Sequence, residues 1–538
     1  MTGVRRAGDA ALLVAAGGRA DALAAAIRSQ RYDGVLDVIP GADTVLVTTE
    51  PGRVDMAGLA ERVVALKLPV REPGAAALAE IPVVYDGPDL ADVARLTGLS
   101  PAEVVARHAA AEYRVGWLGF SPGLGYLTGL DPALAAVPRL AEPRVRVPAG
   151  SVAIAGGLAT VYPTASPGGW RLLGRTSAVL WDADRDPPAL LSPGMRVRFR
   201  AVDRLPDARP AGPAGGTRPG AAAAAVEVIR PGPLATVQDL GRPGYAHLGV
   251  PLSGAADQAS LRLANRLAGN PDGAAGLELT LGRAVLRFTE AARVAVTGAP
   301  AAVTVTGPGG ADLSAEPGAG IEVPAGADLA AEPGAAIDVP AGAQVRIGAP
   351  ATGLRSYVAV RGGIDVPPVL GSRSADVRSG LGPAPLRPGD LLPVGTAVPS
   401  PAGPPAAITR ALPGGGQPAE LRVIPGPRDD WFVPGALDLL CGDTYVVTPA
   451  SDRTGLRLDG PALPRARDEE LPSEGLVAGA LQVPPGGRPI LMLADHPATG
   501  GYPVIAVVAS ADLGLAAQLR PGSKIRFVRA QSGSSGAA

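Results

Sequence analysis

Apolar residues along this chain fall in short runs, broken by Gly, Pro and single charged residues. Runs of that kind between turn-forming residues predict strands joined by tight turns. The first ~80 residues are more mixed. Residues 8–16, 35–39 and 44–48 read as strands, while 20–30 and 56–67 carry helical spacing, so a small α/β domain is predicted. A strand at 81–85 follows, then two short helices at 88–97 and 101–111. Ser100 is suited to cap the second, with Pro101 at its first position and Glu103 in its first turn. From 115 to 200 the pattern is strand and turn. It resumes after Val226, interrupted by one helix at 257–267 that ends ahead of Asn270-Pro271.

Two stretches lack this patterning. Residues 206–225 are Pro, Gly and Ala with little else apolar, and mark a linker. Residues 399–417 are similar and separate two β regions. The expected division is 1–80, 81–205, the linker 206–225, 226–410, 411–530 and a polar tail at 531–538. Residues 311–326 recur almost unchanged as 327–342, which reads as a duplicated β-hairpin in a surface loop. The predicted class is mainly β with a small N-terminal α/β domain.

Composition narrows the chemistry. A length of 538 residues suggests roughly three or four domains. Aromatics are 3%, so the cores must be aliphatic. A net charge of −1 leaves no electrostatic footprint for nucleic acid or an anionic membrane. The one cysteine, Cys441, rules out a disulfide framework and suggests a cytoplasmic setting. No run approaches a membrane span, and Asp9 interrupts the only leader-like stretch, so the N-terminus is expected to be a first strand. Neither lysine, Lys67 or Lys524, follows a glycine, so there is no P-loop. Neither is a biotin-acceptor lysine flanked by methionines. The histidines His108, His247 and His496 are far apart, and no metal site is expected.

Three blocks concentrate polar residues among glycines, as backbone-lined sites do. The first runs from His108 through 119-GFSPGLGYL to Arg144, Arg146, Ser151, Tyr162, Arg175 and Thr176. Arg144 and Arg146 alternate with Val, on one face of a strand. They suit a carboxylate or phosphate, or simply a solvated face. The second holds Gln238, Asp239, Arg242, Ser253 and Asp257, the last also a natural helix cap. The third is 495-DHPATGGYP, where Asp495 and His496 follow a buried run and precede Thr499 and Tyr502. A carboxylate and an imidazole there suit acid/base work, or a polar turn.

These blocks carry a family resemblance. Residues 1–205 resemble the family of the 5-oxoprolinase B subunit (allophanate hydrolase subunit 1) through Tyr85-Asp86-Gly87-Pro88, His108, GFSPGLGYL, RVPAGSVAIAGG and SPGGWRLLGRT. Residues 226–530 are similar to the family of the 5-oxoprolinase C subunit, related to urea carboxylase, through TVQDLGRPGY, GVPLSGAAD, the stretch around Arg361 and DHPATGGYPVIAVVASADL. Leu124 and Pro497-Ala498 depart from the family pattern. The resemblance implies cyclophilin-like β-barrels in both halves. It implies an ATP-dependent opening of 5-oxo-L-proline to L-glutamate, with ATP and Mg. The work would be shared with a separate protein like the 5-oxoprolinase A subunit, with no biotin on this chain. It further implies His108, Asp495 and His496 in proton transfer. Arg144, Arg146, Ser151, Tyr162, Arg175, Thr176, Gln238, Asp239, Arg242, Ser253, Asp257, Arg361, Thr499 and Tyr502 would hold substrate or nucleotide. The alternatives are a biotin-dependent carboxyltransferase component acting on urea or a similar amide, and a histidine-kinase regulator.

Overall fold

The computed structural model describes residues 3–68, 77–206, 224–307, 329–331, 336–396 and 416–530. The N-terminal strands form a four-stranded antiparallel sheet in the order Val4–Arg6, Ala11–Ala15, Thr44–Thr49, Val35–Pro40. Helix Ala20–Gln30 buries Leu23, Ala24 and Ile27, one face of a 3.6-residue period. Helix Met56–Val64 buries Met56, Leu59 and Val63, and the Asp55 carboxylate caps it by accepting from the Ala57 amide. Both stripes pack with Leu12, Val14, Val45 and Val47 into one aliphatic core.

The next lobe is a barrel of seven strands, here β1 (Leu78–Val83), β2 (Tyr113–Leu118), β3 (Gly125–Thr128), β5 (Ser151–Ala155), β6 (Leu158–Val161), β8 (Arg171–Arg175) and β9 (Arg196–Ala201). Strands β4 (Arg144–Val147) and β7 (Ser166–Gly168) pair apart from it. The order around the sheet is β8-β5-β6-β3-β2-β9-β1. A bridge between Val84 and Arg175 brings its two edges together, so the barrel is almost closed. Ahead of β2, helix Pro101–Ala110 starts with a full capping box between Ser100 and Glu103.

Beyond residue 224 the first lobe is two sheets, six- and five-stranded, over a core of Val, Ile and Leu. Helix Gln258–Ala268 lies on it, capped by Asp257. The last lobe is a closed seven-stranded barrel. Its strands are β10 (Ala419–Pro425), β11 (Thr444–Val447), β12 (Gly455–Asp459), β14 (Ala480–Gln482), β15 (Ile490–Met492), β17 (Val504–Val508) and β18 (Lys524–Arg529). β13 (Glu474–Gly475) and β16 (Thr499–Gly500) pair to one side. The order β10-β17-β14-β15-β12-β11-β18 repeats that of the first barrel strand for strand, side pair included. In each barrel the first and last strands lie side by side and parallel. A barrel in each half is what the resemblance implies.

The linker at 207–223, most of the second Pro/Gly stretch and the first copy of the sequence repeat lie outside the described residues. The described strands of the second copy do not pair with each other as a hairpin. Its strands Leu329–Ala331 and Ala336–Val339 pair in different sheets, and Ile337 and Val339 sit in the core.

The halves meet along a close seam. The Gly123 amide donates to Leu248 O at 2.9 Å, and the Phe120 amide to Thr499 Oγ1 at 3.1 Å. Gly249 has φ +80, and a Cβ there would lie 2.3 Å from Ser121 O. From the N-terminal sheet, the Asp37 carboxylate accepts from the Ala246 amide at 3.0 Å.

Candidate functional site

The seam opens onto a buried polar cluster to which three lobes contribute. Arg242 is 1% exposed. One of its nitrogens, Nη2, donates to Ser374 O, while Nε and Nη1 have no partner. Buried guanidinium donors left unpaired are costly, so this pair is an invitation to an acceptor. The loop carrying Arg242 is fixed from below. The Asp239 carboxylate accepts from Gly241 N (2.8 Å), Arg373 N (2.6 Å) and Ser372 Oγ (2.7 Å), and from Ser374 Oγ. Asp239 thereby ties the 239–242 turn to the 372–374 turn.

Asp376 follows that second turn. Its Oδ1 accepts from the amides of Arg378 and Ser379, each at 3.1 Å, and its buried Oδ2 has no partner. Burial, with Asp495 nearby, pushes its pKa up, the usual preparation of a proton-transfer carboxyl. Arg378 lies over the Phe120 ring at 4.8 Å. Burial pulls its pKa down, while Asp376, Asp452 and Asp495 oppose that. The Ser253 and Ser121 hydroxyls are also buried and unpartnered. Ser253 (φ 54) and Phe120 (φ 64) hold left-handed backbone without being glycine, a strain that accumulates at functional sites.

The first barrel adds an aromatic wall. Tyr126 stacks on Trp117 at 4.8 Å and meets Trp170 edge-on at 5.9 Å. Burial raises its hydroxyl pKa, with Arg139, Thr499 and Arg378 acting the other way. Tyr162 and Arg139 adjoin it.

Beneath the cluster runs an ion-pair network. Arg453 grips Asp495 through Nε (2.8 Å) and Nη2 (3.0 Å). It also donates to Glu278 and to Gly254 O (2.6 Å). Burial pushes Glu278 up, but Arg453 and Arg355 outweigh it and hold the carboxylate below its ordinary range. The network clamps the last barrel to the lobe before it and fixes Gly254, next to Ser253.

Thus the structure brings together Arg242, Ser253, Tyr162, Asp495, His496 and Thr499 from the sequence reading. Both Asp495 oxygens are engaged by Arg453. His496 pairs through Nδ1 with Pro497 O, and burial pulls its pKa down, keeping it neutral. Tyr502 stands at 40% exposure, three residues beyond Thr499. The other residues lie apart or serve locally. His108, on the buried face of helix Pro101–Ala110, is fully buried, stacked on Phe199 at 4.6 Å and paired with Tyr85 Oη at 2.7 Å. Arg144 pairs with Asp89 (2.6 Å) and Arg175 with Asp86 (2.8 Å), while Arg146 is exposed. Ser151 Oγ donates to Pro148 O and Thr176 Oγ1 accepts from Ala178 N. Gln238 donates to Thr236 and Ala375. Asp257 caps its helix, and Arg361 is exposed. Asp376, Arg378, Tyr126 and Arg453 were not singled out. The only sequence signal for the first two is three charges, Arg373, Asp376 and Arg378, in a stretch of otherwise mostly small residues, 371-GSRSADVRSG.

Two family profiles match. Residues 2–191 match the carboxyltransferase domain, subdomain C and D. Residues 248–529 match the carboxyltransferase domain, subdomain A and B. The chain belongs to the carboxyltransferase-domain family. It is 36% identical over 307 residues to the C subunit of 5-oxoprolinase from Escherichia coli K12, covering 56% of this chain and 91% of that protein. It is 36% identical over 219 residues to the B subunit of 5-oxoprolinase from Bacillus subtilis, covering 36% of this chain and 91% of that one. Urea amidolyase of Lachancea kluyveri is 34% identical over 56% of the chain, a match taking up 17% of that longer protein. The solved structure of TTHA0988 aligns over 98% of this chain and 100% of its own at 36% identity, with a TM-score of 0.83. The carboxyltransferase-domain chain therefore carries, side by side, the counterparts of two proteins named as separate subunits. Among its described residues no helix is long and apolar enough to cross a membrane.

Proposed function

We propose that this chain is the fused B and C component of an ATP-dependent 5-oxoprolinase, opening 5-oxo-L-proline to L-glutamate together with a separate A-type subunit. The observation that carries this reading is the pairing of Arg242, with two unpartnered buried donors, and Asp376, with one unpartnered buried acceptor. A lactam acid offers the complement. Its carboxylate or ring carbonyl accepts from Arg242, and its ring N–H donates to Asp376. In ring opening, water adds to the carbonyl carbon and the C–N bond breaks. The proton lost by the water returns to the departing nitrogen, and Asp376, with its raised pKa, is the group placed to carry it. Asp495 acts by holding Arg453 and the 253–254 turn. Arg144 and Arg175 are each taken up by a carboxylate. Phosphate oxygens entering the cleft would instead meet Arg242 and Arg378.

The test is glutamate release from 5-oxo-L-proline and ATP by the chain combined with its A-type partner. Arg242→Ala and Asp376→Asn are each expected to lower turnover by about 10²-fold or more, the folded state of each being checked by its thermal unfolding transition. Unchanged turnover in both variants overturns the reading. The family profiles favour a second reading, carboxyl transfer to an amide from a separate biotin carrier. Carboxylation of a urea-like amide, without glutamate release, would establish that one.

A further inference from the structure

A concavity open to solvent lies at the other end of the lobe that carries Arg242. Its volume is about 400 Å³ and its lining is Arg230, Gly232, Pro233, Arg283, Arg346, Ile347 and Gly348. Strand Leu234–Gln238 runs between this cavity and the cleft, and roughly 13 Å of extended chain separates the two ends.

Three features mark the cavity as more than a surface dent. Among the described residues, its three arginines have no carboxylate within ion-pair distance and no acid lines it. Further along the same strands Arg287 is neutralised by Glu227, so pairing is available to this sheet and is absent at its end. Next, the Arg230 guanidinium is placed by a specific contact, and the backbone at Arg283 is strained. A register shift between Val228 and Arg230 re-aims Arg230, and its Nε donates to Arg283 O at 3.0 Å. Leu281, Gly282 and Arg283 all have left-handed backbone, with φ of 58, 55 and 58. Two of these are not glycine, and such strain persists only where surrounding structure enforces it. Finally, the floor is rigid. A Cβ on Gly232 would lie 2.1 Å from Gly282 O, and one on Gly282 the same distance from Gly348 O.

Three like charges held around one concavity repel each other until an anion enters, and guanidinium groups suit phosphate. The cavity exceeds the needs of one phosphate ion and is of the size that takes small organic ligands. Pro233 and Ile347 add apolar wall for a ring. We infer that this is a binding site for a phosphate-bearing small molecule of nucleotide size, separate from the cleft and independent of the reaction proposed for it.

The experiment is calorimetric titration of the full chain with AMP, ATP and inorganic phosphate. It is done in the Arg242→Ala, Arg378→Ala background, so that phosphate binding at the polar cluster does not contribute. Saturable binding is expected, weakened about tenfold or more by combined Arg230→Ala, Arg283→Ala and Arg346→Ala and by Arg346→Glu alone. Because all three side chains are exposed, the variants should unfold at the parent's temperature. Nucleotide binding tighter than phosphate is the expected result, and equal binding of free phosphate overturns the assignment of a nucleotide-sized ligand. No binding of any probe at millimolar concentration, or binding unchanged in both variants, overturns the inference.

Discussion

His108 shows how far a side chain's surroundings outweigh its type. A histidine near a helix end, beside glycine-rich turns, invites a reading as an acid or base. In the fold it is enclosed by Tyr85, Tyr113 and Phe199, and burial pulls its pKa down to about 3. The folded chain therefore binds this proton far less readily than the unfolded chain does. Its stabilising share is complete above the unfolded value near 6.5 and is lost as pH falls from there toward 3. At pH 5 the loss is about 2 kcal/mol. Unfolding midpoints in denaturant at pH 7 and pH 5 should fall more steeply for the native chain than for His108→Phe, and equal slopes would contradict the assignment. The cleft residues Asp376 and Arg378 escape a linear reading for the opposite reason. Nothing local distinguishes them. Their character comes from Asp495, Phe120 and Tyr126, brought from other lobes.

Elements defined by local rules were legible. Helix Ala20–Gln30 follows its apolar period, helix Pro101–Ala110 its capping box, and the helix after Asp257 its cap. The internal repetition was hidden because it is one of strand order, with little shared sequence. Its trace is a Gly-Gly-aromatic triplet, Gly168-Gly169-Trp170 and Gly500-Gly501-Tyr502, ahead of β8 and β17 alike. The repeat at 311–342 is conspicuous in sequence, yet its described strands serve two different sheets. Glycine at the seam gives a direct test. Gly249 and Gly244 both have positive φ, 80 and 91, but only Gly249 faces a neighbour, Ser121 O. Gly244→Ala should cost about 1 kcal/mol of backbone strain. Gly249→Ala should cost about 1–3 kcal/mol more, because the halves must part. Comparing the two melting temperatures isolates the contact.

On the scale of the whole molecule, the buried polar cluster exists only where the lobes meet. Ser121 and Tyr126 come from the first barrel, Arg242 and Asp376 from the lobe after residue 224, and Asp495 and Thr499 from the last barrel. Cutting the chain at a protease site placed within 207–223 should leave the halves co-eluting, held by the Gly123–Leu248 and Phe120–Thr499 bonds and by Asp37. Elution as separate halves would show that the linker alone keeps them together. The intact chain has a further property that two free proteins lack. Tethering replaces the partner's bulk concentration with a fixed local one, commonly millimolar for short flexible links. The seam in this chain can then be far weaker than one between freely diffusing proteins and still stay shut. Dilution that would scatter separate proteins should leave the cluster between the halves assembled.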